Sequence, residues 1–262
     1  MSADLTGPAG GSSRVDVLRA LHLGRPAERP LVLPGPWDAA SARVFEEAGF
    51  PALATPSAGI DAALGNPDGT TPPEEMLAAV ARIARAVSVP VSADLEDGYG
   101  LPADELVERV LETGAVGLNL EDSDRSGHRL RDPREQADRL AAVRAAAGPA
   151  LFVNARVDTY LHRGTAEEAA ERVVLYREAG ADCVFPVLAP PEDLPRLRAA
   201  GVEGPLNFLA RPGDPPFAEL GRLGATRITF GPGLLRRTLT HLADLSADLS
   251  ADLTAGLTAE TA

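Results

Sequence analysis

The sequence predicts an α/β protein built as a single (β/α)8 TIM barrel. Three observations carry this expectation. Eight short apolar segments of strand length alternate with amphipathic stretches of helical spacing between residues 31 and 243, and strands that alternate with helices form parallel sheets. The polar residues collect directly after the apolar segments, which in a barrel places them all at one mouth. No Gly-x-Gly-x-x-Gly follows the first apolar segment, so an open dinucleotide-binding sheet lacks its fingerprint.

Taken in order, residues 1–12 are polar and glycine-rich and read as disordered. Val15, Leu18 and Leu21 recur at helical spacing and give a first helix over 15–23. Strands are expected at 31–33, 52–54, 89–93, 116–120, 150–153, 183–185, 206–209 and 227–230. Helices are expected at 39–48, 73–86, 102–113, 133–146, 166–179, 191–200, 215–223 and 233–243. Proline opens five of these helices, at 73, 102, 133, 191 and 215, where its fixed φ suits the first turn. Thr165 and Glu168 have capping-box spacing. Gly49, Gly114, Gly180, Gly201 and Gly224 follow helices as stop signals. The barrel domain is placed at 13–245, followed by an acidic low-complexity tail over 246–262 that repeats Ser-Ala-Asp-Leu and reads as mostly disordered beyond about residue 250.

Composition narrows the function. Of 262 residues 45% are hydrophobic, enough for a full core. Thirty-eight acidic residues against 25 basic ones leave a net charge of −13, which argues against nucleic acid and anionic membrane as partners. Any anion site must therefore be locally positive. There is no lysine, which removes Schiff-base chemistry and covalent pyridoxal phosphate. Cys183 stands alone, so no intrachain disulfide forms. Residues 1–13 lack an apolar signal core, and no apolar run is long enough to span a membrane. A cytoplasmic location is expected.

The chemistry centres on Ser92-Ala93-Asp94-Leu95-Glu96-Asp97-Gly98-Tyr99-Gly100. A buried strand breaks there into three carboxylates and a flexible turn. Such a cluster is either a solvated loop or a site for a hard cation, Mg²⁺ or Mn²⁺. Other polar groups fall at the same end: Ser57, Ala58 and Gly59, then Asp68, Glu121, Asn154 with Arg156, and Asn207. Asp38 reads as a helix cap, Asp122, Asp124 and Asp132 as solvated, and Asp158 as an ion-pair partner for Arg156. Asp94, Glu121 and Arg156 each continue an apolar run, where an unpaired charge is costly. His22, His162 and His241 read as structural or exposed, whereas His128, after strand four, can reach the mouth.

Four motifs in this order resemble the isocitrate lyase/phosphoenolpyruvate mutase superfamily: Pro34-Gly35-Pro36-Trp37-Asp38-Ala39-Ala40-Ser41-Ala42, the 92–100 segment, Asn119-Leu120-Glu121-Asp122 and Asn154-Ala155-Arg156-Val157-Asp158. The resemblance spans about residues 34–239. It implies a barrel whose last helix is exchanged between subunits, in a homotetramer built as a dimer of dimers. It implies Mg²⁺ holding a small anionic 2-oxo acid and stabilising its enolate. By position, Asp94 matches the direct metal ligand, and Glu96, Glu121 and Asp68 match acids that hold the metal's waters. Ser57, Ala58 and Gly59 would present N–H groups to the substrate carboxylate, Arg156 would grip the same anion, and Tyr99 and Asn207 would line the pocket.

The departures are informative. The cysteine of the cleaving members' loop is replaced by Ser126 in Asp124-Arg125-Ser126-Gly127-His128, and a hydroxyl is a poorer proton carrier than a thiol. Ser123 stands where the mutases favour lysine. A Mg²⁺-dependent lyase or decarboxylase on an oxaloacetate-like 2-oxo acid needs none of the missing groups, with proton delivery by solvent or His128. Phosphorus–carbon chemistry on a phosphonate, and a weakly catalytic 2-oxo acid-binding barrel, are the competing readings.

Overall fold

A computed structural model describes residues 13–124 and 129–259 of the chain. Strands β1 (Leu31–Val32), β2 (Leu53–Ala54), β3 (Val91–Asp94), β4 (Gly117–Leu120), β7 (Phe152–Val157), β8 (Cys183–Pro186), β9 (Asn207–Leu209) and β10 (Arg227–Thr229) build the barrel. A small antiparallel hairpin, β5 (Ser123–Asp124) with β6 (Arg129–Leu130), projects after β4. The helices are α1 (Arg14–Leu21), α2 (Ala39–Glu47), α3 (Ser57–Leu64), α4 (Pro73–Ala86), α5 (Ala103–Glu112), α6 (Pro133–Ala147), α7 (Ala166–Glu178), α8 (Leu194–Ala199), α9 (Phe217–Leu223) and α10 (Gly233–Ala259).

All barrel ladders are parallel, in two arcs: β2-β3-β4-β7-β8 and β1-β10-β9. The arcs meet at two seams. The Ala54 N–H donates to the Pro34 carbonyl at 3.1 Å, and Val184 bridges to Leu206. Strand alternation sorts the residues. On β7, Val153, Ala155 and Val157 pack outward in the helix-facing core, while Asn154 and Arg156 line the interior cavity. Gly117 lets β3 and β4 approach, since a Cβ there would lie 2.7 Å from Ser92 Oγ and 3.0 Å from Ser92 Cα.

The N-terminal end of the barrel is closed by α1. Val15 and Leu18 join Leu31, Leu33, Ala52, Phe152 and Cys183 in a separate apolar cluster. His22 is buried there, stacked on Phe152 with ring centroids 4.3 Å apart, and donates from Nδ1 to the Leu18 carbonyl at 2.7 Å. Burial lowers its pKa to about 3, with Arg227 adding to the shift. Asp38 caps α2 in a capping box with Ser41, and Thr165 caps α7 with Glu168, as the spacing predicted.

Several boundaries differ from expectation. α3 forms where a loop was read, because Pro56 gives its N-cap no side-chain signal. Strand β7 continues through Val157, so Asn154 and Arg156 lie within it rather than after it. The domain limit at 245 falls inside α10, a single helix to Ala259, so the tail does not begin where its repeat begins. The expectation for residues 1–12 concerns residues outside those described. On α10, Leu239, Leu242, Leu245 and Leu249 form an exposed stripe at spacings of three and four. No described helix is long and apolar enough to cross a membrane.

Candidate active site

The C-terminal mouth opens into a cavity of about 880 Å³. Asp94 ends β3 at its wall. Its Oδ1 accepts from Asn119 Nδ2 at 2.8 Å, and its Oδ2 from the Ser57 hydroxyl at 3.1 Å and backbone N–H at 3.3 Å. Asn154 Nδ2 donates to Asn119 Oδ1 at 2.8 Å, so an amide relay crosses β3, β4 and β7. This relay fixes the carboxylate on rigid strands rather than on loops.

The turn after β3 is held in an unusual backbone. Glu96 and Tyr99 have φ of 52° and 57°, left-handed values that cost of order 1–3 kcal/mol each. Asp97 holds the turn. Its carboxylate accepts from Arg131 Nη2 at 2.8 Å and from the Tyr99 N–H at 2.9 Å, and its carbonyl from Arg139 at 2.8 Å. Glu96 is thereby kept buried and lining the cavity beside Asp94.

Across the mouth, Arg156 on β7 donates through Nη1 to Glu121 and through Nε to Asp158 Oδ1 at 2.6 Å. Burial alone would lower the Arg156 pKa, but Glu121, Asp158 and Asp94 together raise it, so it stays a cation. Burial pushes Glu121 well above the usual carboxylate range. Asp94, Asp158 and Glu96 add to that shift, and Arg156 opposes it. Asp68, at the solvent-exposed rim, is raised by partial burial and by Asp61 and Asp94. Carboxylates crowded to this degree favour a cation among them.

The donor set of Asp94, Glu96, Glu121 and Asp68 is all oxygen and lines one cavity. Among the described residues, no three His, Cys, Asp or Glu groups converge as a ready-made cage. Mg²⁺ takes one or two protein carboxylates and keeps waters for the rest, so it does not require such a cage.

Other expected residues are placed as follows. Ser57, Ala58 and Asn207 line the cavity. Gly59 does not present its N–H there, because that group closes the first turn of α3 on the Pro56 carbonyl at 3.1 Å. Tyr99 is not among the cavity-lining residues and packs against the hydrophobic core, because its left-handed φ turns it away. Ser126 and His128 lie outside the described residues. Asp122 corrects the expectation of a solvated acid. It is fully buried, accepts from Tyr176 Oη at 2.8 Å, Arg172 Nη1 at 3.0 Å and the Asp158 N–H at 2.8 Å, and ties the end of β4 to α7 and β7. Asp124 lines the cavity, and Asp132 caps α6 by accepting from the Arg134 and Glu135 N–H groups.

Two cavity residues escaped sequence reasoning. His162 is half-buried, and its Nε2 lies 2.9 Å from Ser123 Oγ on the hairpin, both facing the cavity. The turn over 158–164 folds His162 back, and nothing in its spacing signals that. Arg227 lines the deep end, although the sequence gives it only as the start of a strand.

Residues 18–250 match the family described as phosphoenolpyruvate phosphomutase. An uncharacterized protein of Mycobacterium tuberculosis is 37% identical over 205 residues, covering 77% of this chain and 78% of that one. The 2-methylisocitrate lyase of Escherichia coli is 33% identical over 181 residues, 64% of this chain and 61% of the enzyme. The structure of oxaloacetate acetylhydrolase in complex with oxalate superposes with a TM-score of 0.81 at 26% identity, covering 91% of this chain and 87% of that one. The motifs, the barrel and these relatives agree: the chain belongs to the isocitrate lyase/phosphoenolpyruvate mutase superfamily, a group of lyases and mutases.

Proposed function

We propose that the protein is a Mg²⁺-dependent carbon–carbon lyase acting on a small, oxaloacetate-like 2-oxo acid through an enolate. The observation that carries this is the juxtaposition, in one cavity, of Asp94, Glu96 and Glu121 with Arg156. Asp94 would hold the metal directly, with Glu96, Glu121 and Asp68 holding its waters. Bound Mg²⁺ supplies a Lewis acid for the 2-oxo group and charge to offset a developing enolate.

The chain's own residues do the rest. The backbone N–H group of Ala58, at the first turn of α3, would meet the carboxylate next to the 2-oxo group, while that of Ser57 is engaged by Asp94. The Arg156 guanidinium, held on two sides by Glu121 and Asp158, offers its remaining N–H groups to the same anion. Phe185, Val187, Leu188 and Leu209 form an apolar wall that keeps water from the reacting carbons. Breaking the bond to the leaving fragment places its electron pair on the 2-oxo half as an enolate. His162, hydrogen-bonded to Ser123, would return a proton to that carbon, a role expected from the sequence of solvent or His128. No step needs a loop thiol or a lysine, and this is why the lyase reading leads over phosphorus–carbon chemistry. The leucine stripe on α10 fits a homo-oligomer, since so many exposed leucines need a surface to cover.

The test is turnover of oxaloacetate with Mg²⁺ and with a chelator, reading pyruvate and oxalate separately. Metal-dependent conversion of oxaloacetate to pyruvate is expected, whereas oxalate as the product would place the electron pair on the other half and overturn the enolate step. Phosphate release from phosphonopyruvate with no oxaloacetate turnover would replace this reading with the phosphonate one.

A further inference from the structure

Arg227 is 2% exposed, the largest side chain that is essentially enclosed by the barrel. It occupies the first position of β10, in register with Leu31 on one side and Asn207 on the other. Thr229, two residues on, faces the same interior, so Arg227 sits one inward position deeper than the mouth. Its Nε and Nη1 are enclosed and have no hydrogen-bond partner.

A guanidinium cannot shed its proton at neutral pH, and an unpaired buried charge is among the costliest features a core can hold. The groups around it do not supply the missing anion. The Cys183 thiol is pushed up to about 11 by burial and stays neutral. His22, in the apolar plug below, is neutral as well. Among the described residues the carboxylate acting on Arg227 is Asp94, further up the cavity, and no hydrogen bond joins them. Beside Arg227 other buried groups that line the same cavity are also unsatisfied: Asn207 Nδ2, Ser92 Oγ and Asn154 Oδ1. Asn207 is oriented by Thr229 Oγ1, which donates to its Oδ1 at 3.2 Å and leaves the amide N–H₂ to face elsewhere.

We infer that Arg227, with Asn207 Nδ2 beside it on β9, forms a second anion subsite on the cavity floor, and that this subsite takes a carboxylate. The donors are a planar guanidinium edge and an amide, which together match two carboxylate oxygens. A cavity of about 880 Å³ has room for this group beneath an acid held at the mouth. The carboxylate is either the far end of the substrate or a separate small acid. The first source rests on the 2-oxo acid reading above, and the second does not.

Calorimetry on the full-length protein with saturating Mg²⁺ tests the subsite, using oxalate, 3,3-difluorooxaloacetate and acetate as probes. Arg227→Met should weaken difluorooxaloacetate, acetate or both by about 30-fold, and leave oxalate, which reaches only the mouth, within about two-fold. Loss confined to difluorooxaloacetate identifies the substrate's far carboxylate, and loss of acetate identifies a separate acid. Arg227→Met should also melt no lower than wild type, because it removes an uncompensated buried charge. Should that variant fail to fold, Asn207→Ala gives an independent reading: the same probes weakened several-fold support the subsite, and unchanged affinities overturn it. Unchanged affinities for both far-end probes in Arg227→Met would overturn the subsite. Failure of oxalate alone to bind wild type would instead remove the proposed function and leave the acetate arm standing.

Discussion

The two ends of this barrel are built from opposite materials. At the N-terminal end, α1 closes the strands with Val15, Leu18, Leu31, Leu33 and Phe152, and even its histidine is held neutral. At the C-terminal end, Asp94, Glu121 and Asp158 surround Arg156, Glu96 lines the same cavity, and the turn after β3 is held in left-handed backbone. The difference is a division of labour. Apolar burial at the bottom contributes stability that the top consumes in desolvated charge and strained backbone. Residues of one end should therefore govern melting, and residues of the other ligand affinity.

The largest effect that sharpens this contrast is at the top. Asp94→Ala should abolish Mg²⁺-dependent binding of oxalate, a loss beyond about 100-fold, which exceeds what outer-sphere changes cost. Its melting temperature should stay close to wild type, since the carboxylate is held among polar neighbours. At the bottom, Phe152→Ala should remove about 3–5 kcal/mol of stability, read by urea denaturation. Oxalate affinity of the folded fraction should not change. A Phe152 variant that loses affinity as well would break the division.

Asp122 tests the boundary between the two regimes. It lies directly after Glu121, yet it is fully buried and serves Arg172, Tyr176 and the β7 backbone. Asp122→Ala leaves Arg172 buried without its partner and should cost about 3–5 kcal/mol, a loss typical of the bottom. Chemical denaturation would measure it, and a drop in affinity without a drop in stability would contradict the assignment.

His22 gives a smaller, pH-dependent effect. Its folded pKa is about 3 against 6.5 for the free side chain, so the unfolded chain takes up the proton first. The stability that neutral His22 allows is fully present above about pH 6.5, and it drains away as the pH falls toward 3. His22→Phe, which keeps the stack on Phe152, should flatten that part of the melting curve between pH 6.5 and 4.5. An equal slope in the variant would show that other groups carry the acid sensitivity.

The sequence carried the barrel because its signals are repetitive: apolar segments of strand length, prolines at helix starts, glycines after helix ends. It also carried the mouth, since Asp94 and Arg156 interrupt apolar strands and must face something polar. What it hid depends on geometry that spacing does not encode. Asp122 and Glu121 are neighbours on one strand end, and strand alternation sends one outward into the α7 interface and the other to the cavity. Tyr99 looked available until its backbone turned left-handed. Gly59 belongs to a helix that begins without a capping side chain. His162 reaches Ser123 only because the 158–164 turn folds back. Arg227 reads as a strand edge, and only closure of the barrel shows that its side chain is enclosed.

The most direct measurement is the affinity of oxalate for the wild-type protein, titrated calorimetrically with Mg²⁺ and again with the metal chelated. Tight binding that requires Mg²⁺ and vanishes in Asp94→Ala is the predicted result. Oxalate binding that is equally strong without metal, or that survives Asp94→Ala, would contradict a metal-dependent 2-oxo acid site at this mouth.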